Sequence, residues 1–335
     1  MKEFDNVKLE KGMYRLSDKT FSQALEDQDP SDRYENTPYA GLDAYQRQLK
    51  RFDIKVTGQS SDKIEKFFRT TDSAALFPEY VSRAIRQGMT ESTILPRLTA
   101  AMTKIDSMEY RSITCDQDES YANYGQILEG TFIPQTKISL NETPVQLAKR
   151  GRMLVASYEA IKFQKLDVFT VTLKQIGAYI AKAQLKDAAD TLTGAGATAA
   201  AVLETKLSGV VSADDLISLW GAFSDFDLNT ILASPVMAAK IIAVCSPAGG
   251  SDRDFFLTGS AVKPMGAALL KSDALDNNTA VALDKRFALE MVSAGDVTVD
   301  YDKLIDCQFE KATVTSIAGF AKIFPAAVKV LKLKA

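Results

Sequence analysis

The sequence predicts an α+β fold, and three observations predict it. Leu166, Phe169, Leu173, Ile176 and Ile180 recur at alternating steps of three and four, which marks one face of a long helix. After residue 280 the chain turns to β-type runs: VTVDYD (297–302) alternates, CQFEKATVTSIAGFAKIF (307–324) is long, and AAVKVLKL (326–333) closes the sequence. Between them, roughly residues 197–280 mix helical and extended segments.

Composition narrows the function. The chain has 335 residues, 46% hydrophobic and 25% charged, which is ordinary globular composition. That length makes two domains or one elaborated fold, either with a substantial core. A net charge of -3 is too near neutral to announce a nucleic-acid surface. The basic residues are spread rather than gathered with aromatics, which leaves only non-specific contact with a polyanion. No run approaches the ~20 apolar residues of a membrane helix. The start, MKEFDNVKLEKGMYRL, lacks the apolar stretch of a secretory signal, so a cytoplasmic site of synthesis is expected.

Chemistry is mostly excluded. The chain has no histidine, which removes Ser-His-Asp triads, Cys-His pairs and His-based zinc sites and leaves carboxylate or lysine chemistry. Cys115, Cys245 and Cys307 have no paired or metal-type spacing and read as free thiols. GAGATA (194–199) follows a helix rather than a strand, so it reads as a helix stop and not a dinucleotide loop. No phosphate loop or EF-hand spacing occurs. No catalytic residue, cofactor or metal is expected.

Taken in order, residues 1–39 are polar and broken by Pro30 and Pro38. In AGLDAYQRQLKRFDIKV, Leu42, Tyr45, Leu49 and Phe52 share a helical face, with Arg47, Lys50 and Arg51 mainly off it as a basic back. This helix is either packed on its own domain or docked on a neighbouring subunit. Ser61 or Asp62 caps a short helix carrying Ile64, Phe67 and Phe68. Pro78 suits the first turn of another helix, and Gly88 its end. STILPRLTAAMTKI reads as extended, with Pro96 at an edge or strand end.

MEYRSIT (108–114) alternates like a strand and opens a long excursion. Residues 112–136 contain no Lys or Arg but include Asp116, Asp118, Glu119 and Glu129. The return, ILEGTFIPQTKISLNETPVQLAKRG (127–151), becomes basic towards Lys137, Lys149, Arg150 and then Arg152. The excursion thus has an acidic tip and a basic root, and no core of its own. The long helix follows, started by Asp167 and stopped by Gly194 and Gly196. In the mixed segment, Ser212 and Asp215 form a capping box, LNTILAS is a strand, and Ser234 with Pro235 opens a helix. Pro325 turns the chain between its last two strands.

The order of these parts carries a resemblance. ALFPEYVSRAIRQGMTESTILPRL, the excursion, RMLVASYEAI, the long helix ending in LTGAG, the βα insert and FEKATVTSIAGFAKIFPAAVKVLKL follow one another as in a tailed-phage major capsid protein of the Hong Kong 97 fold. The resemblance covers roughly residues 65–335. It implies an N-terminal arm (1–95), an extended E-loop (108–150), a peripheral or P domain (96–107, 151–195 and 281–335) and an axial or A domain (196–280).

The resemblance also implies a function: self-assembly as pentamers and hexamers into a closed icosahedral shell around a tailed-phage or prophage genome. Its partners would be further copies of itself, a portal, a separate scaffolding protein, a decoration protein and, non-specifically, packaged double-stranded DNA, with no membrane. The location would be the virion capsid, assembled in the host bacterial cytoplasm. The chain starts at Met1 with a short leading region, which predicts an uncleaved, ordered arm. Some relatives crosslink an E-loop lysine to an asparagine. Lys137 is the one lysine of the excursion before its root, and Asn277 and Asn278 are loop asparagines; no crosslink is expected.

The charge segregation gives a set of contact residues. The acidic tip (Asp116, Asp118, Glu119, Glu129) is expected to meet a basic surface on an adjacent subunit, and Lys137 on the return strand is a further contact candidate. Arg47, Lys50 and Arg51, or Arg83, Arg86 and Arg97, would supply it. Each exposed pair contributes ~0–1 kcal/mol. An encapsulin-like cargo compartment is the alternative in the same fold, and a cytosolic enzyme using carboxylate or lysine chemistry the alternative outside it.

Overall fold

In the computed structural model, the described residues are 3–15, 19–107, 109–117, 129–130, 136–141, 143–194, 203–207, 211–245, 263–295, 297–304 and 309–333. Helices α1 (Phe21–Gln28), α2 (Ala44–Arg51), α3 (Thr71–Ala74) and α4 (Phe77–Ser92) come first. Strands β1 (Ala101–Ile105), β2 (Ile113–Gln117), β3 (Thr136–Leu140) and β4 (Ala148–Ser157) follow. Helices α5 (Tyr158–Phe163) and α6 (Leu166–Thr193) lead to β5 (Leu203–Leu207), α7 (Ala213–Gly221), β6 (Thr230–Ala233) and α8 (Pro235–Cys245). The chain ends in β7 (Ala268–Lys271), β8 (Thr279–Leu283), β9 (Leu289–Ala294), β10 (Thr298–Leu304), β11 (Phe309–Lys322) and β12 (Val328–Leu333).

Two compact units share these elements. The first comprises residues 1–92, 150–181 and 297–316. The predicted stripe of α6, from Leu166 to Ile180, is buried in its core with Phe21, Leu25, Tyr45, Ile64, Phe67, Phe77 and Ile85. The region before residue 92 is therefore part of this unit's own core, which answers the question the sequence left open for α2. The polar appearance of residues 1–39 hid α1, which Thr20 opens with a capping box to Gln23.

Arg47 is a correction. Its side chain is fully buried, not on a basic back. Its Nε donates to Asp29 Oδ2 at 2.6 Å, its Nη1 to the Leu42 carbonyl at 2.6 Å, and the guanidinium lies 4.3 Å from the Tyr34 ring centre. A buried guanidinium is tolerated because its donors are satisfied. Removing one partner of such a pair leaves an uncompensated charge.

Gly88 is a second correction: it lies inside α4, not at its end. A Cβ there would fall inside contact distance of the Lys174 backbone, and one at Gly177 would meet the Ile85 carbonyl. The two glycines let α4 and α6 cross backbone to backbone. In this unit β10 runs antiparallel to β11, from the Thr298↔Thr315 pair to Leu304↔Phe309.

The second unit comprises residues 93–149, 182–296 and 317–335. Here β9 pairs parallel with β1 and antiparallel with the end of β11, Ala318 to Lys322. The expected extended run before β1 contains a 3-10 turn at Leu95–Arg97, because Leu95 and Leu98 both turn into the core. A second sheet has the order β5-β12-β8-β6-β7. Leu185, Ala188, Ala189 and Leu192 of α6 share a core with Leu283, Leu289, Phe320 and Val330. Helices α7 and α8 contribute Leu216, Leu219, Met237 and Ile241 to a further cluster with Ile231 and Leu331. The Ser212 capping box and the Ser234 cap form as the sequence predicts.

Asp284, just after β8, ties this unit's turns together. Burial alone would raise its carboxyl, but hydrogen bonds from Arg286, from the Asp227 and Arg286 backbones and from Asn229 hold it down at about 2. Asn229 Nδ2 donates at 2.6 Å and Arg286 Nη2 at 2.7 Å.

Two predictions follow from the packing. Gly177→Val should lower stability by about 3 kcal/mol, the upper end of overpacking costs, because backbone atoms must move; chemical denaturation measures it. The Asp284 carboxyl lies below its unfolded value of about 3.9, so its contribution is full above about pH 4 and is lost as pH falls towards 2. Asp284→Asn should flatten that acid limb in denaturation curves taken from pH 5 to pH 2.

Candidate functional site

Strands β2 and β3 form a ribbon that, among the described residues, pairs with no other strand. Their register sets Ile113 opposite Leu140 and Cys115 opposite Ile138. Alternation then places Ile113, Ile138 and Leu140 on one face and Lys137 and Ser139 on the other. The apolar three are 50%, 67% and 66% exposed. An isolated two-stranded ribbon is marginal in water. Fully burying each such side chain would contribute roughly 1.5–3 kcal/mol. Among the described residues, the ribbon therefore presents an exposed apolar face.

The root of the ribbon is held firmly. Residues 109–112 are not the strand the alternation in MEYRSIT predicts: Glu109 and Arg111 are exposed, while Tyr110 is half-buried and Ser112 buried, and both of the latter are bonded to Glu290. Glu290 on β9 is buried and accepts from Thr103 Oγ1 at 2.8 Å, the Tyr110 hydroxyl at 2.6 Å and Ser112 Oγ at 2.8 Å. Burial, and next the bond to Glu290, raises the Tyr110 pKa. The two legs of the root are joined by Asn141 N–H to the Ser112 carbonyl at 2.8 Å and Val145 N–H to the Tyr110 carbonyl at 2.7 Å.

The sequence did not single out Glu290, Tyr110, Ser112 or Gly319. A signal existed: Glu290 is the lone charge in the apolar run FALEMV, and Gly319 interrupts a strand.

The expected contact residues scatter. Asp118 and Glu119 lie outside the described residues, and the side chain of Asp116 does also; its backbone pairs with Lys137 across the ribbon. Glu129 sits exposed in a turn, and Lys137 is exposed on β3. Of the basic residues, Arg47 is buried and unavailable to a neighbour. Arg83 is engaged at home, its Nε on Glu79 at 2.9 Å, its Nη2 on Ser22 at 2.6 Å and its Nη1 on Asp43 at 2.5 Å. Arg51 donates to the Val7 carbonyl at 2.8 Å, and Lys50 is exposed near the Tyr39 ring. Arg86 is half-buried, with no hydrogen-bond partner for its Nε among the described residues, and Arg97 is exposed.

Elsewhere in the first unit, Val168 and Val171 on α6 and Met153 and Val155 on β4 are exposed. Arg152 lies 3.8 Å from the centre of the Tyr179 ring. Among the described residues no group of His, Cys, Asp or Glu is placed to hold a metal ion, and no helix is long and apolar enough to cross a membrane. What the described residues offer is exposed apolar surface on the ribbon, α6 and β4.

Comparison with known proteins gives these surfaces a setting. The model of a phage capsid protein family matches residues 141–320, more than half of the chain. No curated protein matches. The fold is similar to the capsid of a native GTA particle, with a TM-score of 0.56 and 16% identity over 84% of this chain and 96% of that one. It is also similar to a virus-like particle from Pyrococcus furiosus, with a TM-score of 0.51 and 14% identity over 76% and 98%. A third likeness, to Microbacterium phage Oxtober96, has a TM-score of 0.51 and 8% identity over 72% and 91%. The chain belongs to the phage capsid protein family and has the Hong Kong 97-type fold that the order of its parts implied.

Proposed function

We propose that this chain is the major capsid protein of a tailed phage or prophage, closing as pentamers and hexamers into an icosahedral shell around the genome. The observation that carries the reading is the ribbon: an apolar face on a hydrogen-bonded root, exposed among the described residues. A shell of identical copies supplies the missing cover from a neighbour. Membership of a capsid family supports this reading.

In the same reading, residues 1–95 are the arm and 108–150 the E-loop. The P domain is 96–107, 151–195 and 281–335, and the A domain 196–280. A portal, a separate scaffolding protein, a decoration protein and non-specific contact with packaged double-stranded DNA complete the particle, which assembles in the host cytoplasm. The acidic tip meets its basic partner surface through Lys50, Arg86 or Arg97, since Arg47, Arg51 and Arg83 are engaged within their own unit.

The fold shared with the Pyrococcus virus-like particle is compatible with a second reading, an encapsulin-like compartment. Contents separate the two under the electron microscope: double-stranded DNA for the first, a protein cargo for the second.

Size-exclusion chromatography of the purified chain should give capsomers or megadalton shells. Ile138→Asp with Leu140→Asp should abolish shells and leave folded subunits with unchanged far-UV circular dichroism. A wild-type chain that stays a small monomer or dimer under all assembly conditions would contradict the proposal.

A further inference from the structure

The ribbon's root is built differently on its two legs, and both legs meet one face of one sheet. The outgoing leg delivers Tyr110 and Ser112 to the buried Glu290 carboxylate, with Thr103 completing its shell from β1. The returning leg passes over Gly319 of β11. A Cβ at Gly319 would lie 2.7 Å from the Gln146 carbonyl oxygen and 2.8 Å from Leu147 Cδ2, and Val145 beside them is buried. Gly319 pairs directly with Val292, two residues along β9 from Glu290. Residues two apart on a strand, and residues directly opposite across a pair, share a face. The carboxylate and the bare glycine backbone are therefore two fixed points on one sheet face, one for each leg.

We propose that Glu290 and Gly319 act together as a clamp that sets the angle at which the ribbon leaves the sheet, and that shell assembly depends on this angle. The inference rests on the reading of the ribbon as an inter-subunit contact. Both are positioning residues: neither touches the neighbour.

The donors to Glu290 are hydroxyls: Tyr110 and Ser112 stand on the root itself, and Thr103 stands on β1. A buried carboxylate that loses such donors keeps its desolvation cost, so it holds them in place. Gly319 adds a steric stop, because the returning backbone rests where a side chain would otherwise begin. The leverage is large. A five-residue strand is about 17 Å long, so a tilt of about 10° at the root moves its far end by about 3 Å. That displacement takes a van der Waals contact out of range.

The test compares three variants of the full chain: Tyr110→Phe with Ser112→Ala, Gly319→Ala, and Ile138→Asp. Shell yield is read by sedimentation and particle form by electron microscopy. Fold is read by circular dichroism and thermal unfolding of unassembled subunits. The double variant and Gly319→Ala should keep native secondary structure, yet lower the yield of closed shells and give open or irregular products. A misfit that weakens each contact about tenfold corresponds to about 1.4 kcal/mol. Ile138→Asp should abolish shells. Closed shells at wild-type yield and form from the double variant overturn the clamp, and leave the ribbon contact standing if Ile138→Asp still fails to assemble. If Ile138→Asp also assembles, the ribbon contact is overturned and the clamp with it. If Gly319→Ala does not fold, the double variant decides alone. A lower melting temperature with normal shells shows a merely structural role and overturns the proposal.

Discussion

An apolar face on a two-stranded ribbon is the constraint around which this chain is organised. Two strands cannot enclose a core between them, and β2 and β3 have no third strand among the described residues. Ile113, Ile138 and Leu140 consequently face water in the single chain. The rest of the second unit holds that face out. A buried carboxylate grips one leg of the root, and a strand glycine admits the other. Among the described residues, the unit's core clusters include none from the ribbon strands. An apolar surface so exposed makes physical sense when a partner covers it.

The first unit shows the opposite economy. Its N-terminal residues contain charges that sequence patterning places at the surface, yet those charges are used internally. Arg47 is enclosed by Asp29, Ser31 and the Leu42 carbonyl, and Arg83 draws α1, α2 and α4 together through Ser22, Asp43 and Glu79. The desolvation of a guanidinium is offset only when its donors are filled, and here they are. These residues hold register within one fold, and they leave fewer basic groups free for a neighbour than the charge segregation alone suggests. Exposed ion pairs contribute ~0–1 kcal/mol each, less than a buried aliphatic side chain.

Much of the fold could be read from the sequence because its signals are local and periodic. The α6 stripe from Leu166 to Ile180 is buried residue for residue, and the Ser212 and Ser234 caps form where the motifs stand. Strands β11 and β12 fall within their β-type runs, and β10 overlaps the run at 297–302 and continues to Leu304. What was misread depends on tertiary contacts. Counting apolar residues cannot show that Arg47 is buried, because the partner that permits burial, Asp29, lies on another segment. A glycine late in a helix reads as a stop, but Gly88 continues α4 because α6 crosses there. MEYRSIT alternates like a strand, and its alternation instead directs Tyr110 and Ser112 towards a carboxylate 180 and 178 residues away in sequence. The order of parts carried the family; the ribbon's apolar face needed the register.

Hydrogen–deuterium exchange of residues 113–117 and 136–140, compared between free subunits and assembled particles, tests the central claim most directly. The account predicts rapid exchange in free subunits and strong protection in particles, because a neighbour covers the ribbon. Equal exchange in both states, with protection unchanged by assembly, would contradict it.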